Sequence, residues 1–150
     1  MKKTKRDFLS LYVDGAARGN PGPAGVGIIL EDEDRQVVGN IDKFIGNATN
    51  NVAEYTALIT GMEEARRLGA KAISINTDSE LLAKQLSGEY KVKNPVLKGL
   101  HEKARKALVH FDKVIVNNIP REQNKGADKL ANKAIDAAMP PKSGRSFVLK

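Results

Sequence analysis

The sequence predicts an α/β domain built on a mixed five-stranded sheet, three antiparallel strands followed by two parallel ones, with helices packed on it. Three observations carry this. Up to Ile45 the apolar residues fall in β-type runs joined by short links, which is the pattern of an antiparallel meander. From Asn51 the apolar period changes to that of an amphipathic helix. Beyond Gly69 short β-rich runs alternate with helical ones, and a helix between strands implies a parallel crossover.

The first strand is Phe8 to Val13, β-branched, aromatic or Leu except for Ser10, and Asp14 is expected where it leaves the core. Five glycines and two prolines between Gly15 and Gly27 read as a tight turn able to approach a ligand. Strands two and three are Val26 to Leu30 and Gln36 to Ile45, separated by the charged loop Glu31-Asp-Glu-Asp-Arg. Val52, Ala53, Ala57, Leu58, Met62, Ala65 and Leu68 form one face of a helix over Asn51 to Leu68 that Gly69 ends. Lys71 to Thr77 is the fourth strand, and Asp78-Ser79 opens a helix through Leu86. Pro95 suits the first turn of a third helix reaching about His110. Lys113 to Asn117 is the fifth strand, and after a polar loop a last helix runs from about Ala127 to Ala138. The expected division is a basic lead over 1–7, one domain over 8–138 and a flexible basic tail over 139–150.

The composition narrows the chemistry. With no cysteine, disulfides, thiolate zinc sites and thiol nucleophiles are excluded. His101 and His110 lack the spacing of a metal pair and read as surface residues, so metal chemistry would need oxygen ligands, which favours Mg²⁺ or Mn²⁺. A net charge of +7 suggests a polyanionic partner, because cations that neutralise phosphates gain from counterion release. The basic start Met-Lys-Lys-Thr-Lys-Arg precedes an apolar run too short for an export signal or a membrane span, so a cytoplasmic protein with no membrane partner is expected. A monomer is the default expectation, and no organic cofactor is called for.

Asp14, Glu54, Asp78 and Asp128 all sit at predicted element ends. Each has a local alternative: a hairpin Asp at residue 14, a capping box of Asn51 with Glu54, an N-cap at Asp78 or Ser79, and dipole compensation at Asp128. Together they suggest something else. If strands one and four are neighbours, these four positions can converge, and clustered carboxylates repel unless a cation compensates them. The chemistry requiring such a cage is phosphodiester hydrolysis by two metal ions roughly 3.5–4 Å apart. Ser79 has no partnered His, so a serine nucleophile is not indicated.

With these residues placed, the chain closely resembles ribonuclease H of type 1, the family that includes the nuclease domain of reverse transcriptases. The resemblance rests on Tyr12-Val-Asp-Gly-Ala-Ala-Arg-Gly-Asn-Pro-Gly-Pro-Ala-Gly, Thr49-Asn-Asn-Val-Ala-Glu-Tyr, Asn76-Thr-Asp-Ser-Glu-Leu and Asn124-Lys-Gly-Ala-Asp-Lys-Leu-Ala. It spans about residues 8–138 and implies a ribonuclease H-like fold. It also implies a metal-dependent endoribonuclease that cuts the RNA strand of RNA/DNA hybrids independently of sequence, leaving a 5′-phosphate and a 3′-hydroxyl. Asp14, Glu54, Asp78 and Asp128 would be the catalytic metal ligands, for two Mg²⁺ or Mn²⁺ ions with substrate bound. By the same resemblance, Gly15 would meet RNA 2′-hydroxyls, Asn20, Asn50 and Ser79 would contact the hybrid, and Thr49 and Asn51 would grip the DNA strand.

Two departures from the family pattern stand out. The chain has no Trp, and Gly88-Glu-Tyr-Lys-Val-Lys-Asn replaces the basic, Trp-containing protrusion of several bacterial members. The loop before Asp128 has no His, and Arg121 is the nearest candidate for a comparable assisting role, against the alternative of a solvated loop charge. A separate hybrid-binding domain is also missing from the pattern, so low processivity is expected. The rival readings are a non-cleaving module that binds hybrid or double-stranded RNA, and a related nuclease that prefers double-stranded RNA or DNA junctions.

Overall fold

The computed structural model describes residues 6–139 and 148–150. Most of the expected basic lead and tail therefore lies outside the described residues.

The chain forms β1 (Phe8–Ala17), β2 (Gly22–Glu31), β3 (Val37–Ala48), α1 (Asn50–Arg67), β4 (Ala72–Thr77), α2 (Glu80–Ser87), α3 (Pro95–Leu108), β5 (Lys113–Asn118) and α4 (Lys125–Ala138). The five strands make one sheet in the order β3-β2-β1-β4-β5. β1 pairs antiparallel with β2, which pairs antiparallel with β3, while β1–β4 and β4–β5 are parallel. The predicted fold class is the one observed.

Period-two alternation gives the sheet two distinct faces. Leu9, Leu11 and Val13 of β1 sit with Val26, Ile28 and Leu30 of β2 and Ile73 and Ile75 of β4 in the main core, all essentially inaccessible. α1 covers this face with Tyr55, Leu58 and Met62, and α3 packs on α1 through Leu97 and Ala104. On the other face α4 lies across β1, β2 and β3. It can do so because two β2 positions have no side chain. A Cβ on Gly27 would lie 2.0 Å from the Ala127 carbonyl oxygen, and one on Gly25 would lie 2.5 Å from that of Ala131.

Several boundaries differ from expectation, each for a local reason. β1 runs on to Ala17, so Asp14 lies inside the strand, paired with Gly27, and does not mark its end. What stops just before Asp14 is the parallel ladder to β4, whose last pair is Tyr12 with Asn76. The glycine-rich stretch is only partly turn, since Gly22 to Gly27 is already strand, Gly25 and Gly27 clearing space for α4 while Gly22 admits the Arg18 carbonyl of the turn. α1 is capped by Thr49, whose hydroxyl accepts from the Val52 N–H at 3.2 Å, and not by an Asn51–Glu54 capping box. Consequently Glu54 sits beyond the first helical turn. α4 begins at Lys125, after a short 3₁₀ turn over Arg121–Gln123.

Candidate metal centre and nucleic-acid interface

Three of the four expected carboxylates come together. Asp14, Glu54 and Asp78 each present an oxygen within 4.8 Å of the others. They come from the interior of β1, the second turn of α1 and the first residue after β4. Asp14 and Glu54 are buried at 8% exposure, and Asp78 is half-buried.

Local packing explains the meeting. Parallel pairing brings the end of β4, and so Asp78, alongside β1. α1 descends onto β1 at Gly15, where a Cβ would stand 2.2 Å from the carbonyl carbon of Ala53 and 2.4 Å from the Glu54 nitrogen. Gly15 is thus buried, and its missing side chain makes room for the helix that delivers Glu54.

Asp128 stands at the edge of this cluster and is not one of the three convergent ligands. It lies in the first turn of α4, half-buried, with its carboxylate near enough to that of Asp14 to raise its pKa. Asn132 donates to its Oδ1 at 3.2 Å, and the Arg18 guanidinium in turn reaches Asn132 Oδ1 at 3.3 Å and Asp136 at 2.7 Å. The β1–β2 turn therefore steadies the helix bearing the fourth carboxylate.

The electrostatics are those of crowded anions. Burial is the largest influence on Asp14, and with Asp78, Glu54 and Asp128 nearby its carboxyl is pushed up to about 8. Glu54 is pushed up to about 7, again mainly by burial and then by Asp78. Hydrogen bonds from Ser79 and Asn50 and the positive charge of Arg121 act in the opposite direction. Asn50 Nδ2 donates to Glu54 Oε1 at 2.8 Å. Ser79 has two tasks, since its Oγ also accepts from the Leu82 N–H at 3.1 Å as the cap of α2. No salt bridge among the described residues reaches Asp14, Glu54 or Asp78. An all-oxygen, negatively charged, partly desolvated donor set of this kind fits a hard divalent cation.

Of the residues expected to contact substrate, Asn50 and Ser79 adjoin Glu54, while Gly15 is buried beneath α1. Asn20, Thr49 and Asn51 line one cleft of ≈ 240 Å³ together with Val52, Asn94 and Val96. Asn20 Oδ1 accepts from the Asn50 N–H at 3.1 Å, tying the β1–β2 turn to the start of α1. Arg121 is exposed and close enough for its charge to act on Glu54.

Residues 12–134 match the Reverse transcriptase-like family. A ribonuclease H of Coxiella burnetii is 30% identical over 93% of this chain and 97% of its own length. The chain belongs to the ribonuclease H family. The ribonuclease HI of Halobacterium salinarum is 45% identical over 85% of this chain, which spans 64% of that protein's length. The crystal structure of RNase H1 from that archaeon superposes with a TM-score of 0.85 at 43% identity, covering 87% of this chain and 98% of that one. LC11-RNase H1, solved in complex with an RNA/DNA hybrid, gives a TM-score of 0.84 at 40% identity, covering 87% and 99%.

Two features of this ribonuclease H family member escaped sequence reasoning. His101 is not a free surface residue: it is half-buried, its Nε2 lies 3.1 Å from the Gln85 carbonyl oxygen, and its ring meets Tyr55 edge-on. Tyr55, next to Glu54, donates to Gln85 Oε1 at 2.6 Å, and Gln85 reaches the Lys91 carbonyl at 3.4 Å. Asn124 is the other, a buried amide between Asp78 and α4. The signal available for it was its place four residues before Asp128, a spacing that also describes an ordinary helix start.

Among the described residues no helix is long and apolar enough to cross a membrane.

Proposed function

We propose that this protein is a divalent-metal-dependent endoribonuclease that hydrolyses the RNA strand of RNA/DNA hybrids without regard to sequence, leaving a 5′-phosphate and a 3′-hydroxyl. The observation that carries the reading is the convergence of Asp14, Glu54 and Asp78 within 4.8 Å at one end of the β1–β4 ladder. Membership of the family and the hybrid bound by LC11-RNase H1 support the choice of substrate.

Asp14, Glu54 and Asp78 would hold the metal, with Asp128 contributing from the edge of the cluster. Bound Mg²⁺ or Mn²⁺ supplies an activated water and charge stabilisation for the leaving oxygen. The protein's own residues do the rest. Asn50 and Ser79 hold the Glu54 carboxylate by hydrogen bonds that favour its ionised form. Arg121 places positive charge beside Glu54, where a scissile phosphate would lie. Asn20, Thr49 and Asn51 form a neutral, hydrogen-bonding cleft suited to the DNA strand's phosphates, contacts that position a duplex without reading its bases.

The test is a substrate panel. Labelled RNA/DNA hybrid, double-stranded RNA and double-stranded DNA are each incubated with Mg²⁺, Mn²⁺ or EDTA, and the product ends are mapped. Cleavage of the hybrid's RNA strand alone, abolished by EDTA, is the expected outcome. Binding without cleavage in every metal would make the protein a hybrid-binding module, and preferential cutting of double-stranded RNA would reassign the substrate.

A further inference from the structure

Asn124 is 1% exposed and occupies the position between the 3₁₀ turn and α4. Its Nδ2 donates to the Val13 carbonyl oxygen at 2.9 Å and reaches Asp78 Oδ2 at 3.4 Å. Its own carbonyl oxygen accepts from the Asp128 N–H at 3.1 Å. One buried residue therefore touches the neighbour of Asp14, the carboxylate of Asp78 and the backbone of Asp128.

The orientation of the amide follows from its partners. Both facing atoms are acceptors, so the NH₂ group must point at them and Oδ1 must turn away. That oxygen is the buried side-chain atom left without a hydrogen-bond partner among the described residues. An orphaned buried acceptor is a cost to the fold that one neutral hydrogen bond to Val13 does not clearly outweigh. Asn124 also borders a cavity of ≈ 300 Å³ with Tyr12, Glu31 and Gln123. The contribution of the amide has to be sought in what its NH₂ group orients.

We propose that Asn124 is a positioning residue for metal loading: its amide holds Asp78 with an oxygen turned toward Asp14 and Glu54, and couples that orientation to α4, which carries Asp128. This rests on reading the three carboxylates as metal ligands. Groups that orient a ligand through a hydrogen bond typically change metal affinity or activity by about 10–100-fold when removed.

The experiment uses Asn124→Ala and Asn124→Leu, the latter keeping bulk in case the smaller side chain fails to fold. Mn²⁺ alone is titrated into each protein and followed by calorimetry, with thermal melts and steady-state kinetics on a hybrid alongside. The expected result is Mn²⁺ affinity weakened about tenfold or more, KM for hybrid nearly unchanged, and a kcat deficit that shrinks as metal is raised. A merely structural role would lower the melting temperature without that metal-dependent rescue. Mn²⁺ affinity within about twofold of wild type in a folded variant overturns the proposal, on the scale set by such hydrogen bonds. Failure of the wild-type protein to bind Mn²⁺ would remove the metal centre itself.

Discussion

Asp14 carries the sharpest electrostatic cost in the molecule. Its carboxyl, raised from 3.8 to about 8, binds a proton in the folded protein at pH values where the unfolded chain has released it. Glu54 behaves alike between 4.5 and about 7. Stability therefore falls as pH rises through this window, because the native state binds more protons than the unfolded one. Metal-free protein is expected to melt lower at pH 9 than at pH 6 by scanning calorimetry, and Mg²⁺ should reduce the gap. Asp14→Asn removes one of the repelling charges. The metal-free variant should melt higher than wild type at pH 8–9, by about 3 °C for roughly 1 kcal/mol relieved in a chain of this size, while losing nearly all hybrid cleavage. A variant with unchanged melting and full activity would contradict both roles assigned to the residue.

At the level of elements, the centre depends on how closely helices approach strands. Gly15→Ala would set a Cβ against the backbone of Ala53 and Glu54, so α1 must shift. The expected cost is about 3 kcal/mol or more, at the upper end for overpacking, because the opposing atoms are backbone. Urea denaturation measures it, and hybrid cleavage should fall with it as Glu54 moves from Asp14. Thr49→Ala should cost about 1 kcal/mol through the lost cap of α1, with a separate weakening of hybrid binding from the cleft it lines. This level is also where the sequence was most and least informative. The apolar periods of Phe8 to Val13 and of Val52 to Leu68 identified the strand, the helix and their order, because burial imposes those periods. Asp14, Glu54 and Asp78 were legible as a set. The depth of Asp14 inside β1 was not, since glycines at 15, 25 and 27 look like a turn until the helices that need the space are known. Asn124 was hidden for a related reason: its importance lies in contacts with Val13 and Asp78, 111 and 46 residues away.

For the whole molecule, charge distribution is the controlling quantity. Residues 80–108 hold seven Lys or Arg against three Asp or Glu, so four of the seven net positive charges fall in α2, α3 and the connection between them. Tyr90, on that connection, is exposed, with the Lys84 ammonium 4.9 Å from its ring centre. Hybrid binding by the inactive Asp14→Asn variant should therefore weaken steeply with salt, roughly tenfold or more between 50 and 200 mM KCl, as expected when several phosphates are neutralised. A flat salt response measured by fluorescence anisotropy would mean that cleft contacts alone hold the duplex.

The trough that Gly25 and Gly27 clear for α4 has one more implication, for synthesis. Chain order makes this helix leave a ribosome after every strand it covers is already available to pair. A nascent chain halted before Lys125 would present β2 with that trough bare and Ile29 uncovered, so arrested products of this length should aggregate more readily than those extended past Ala138.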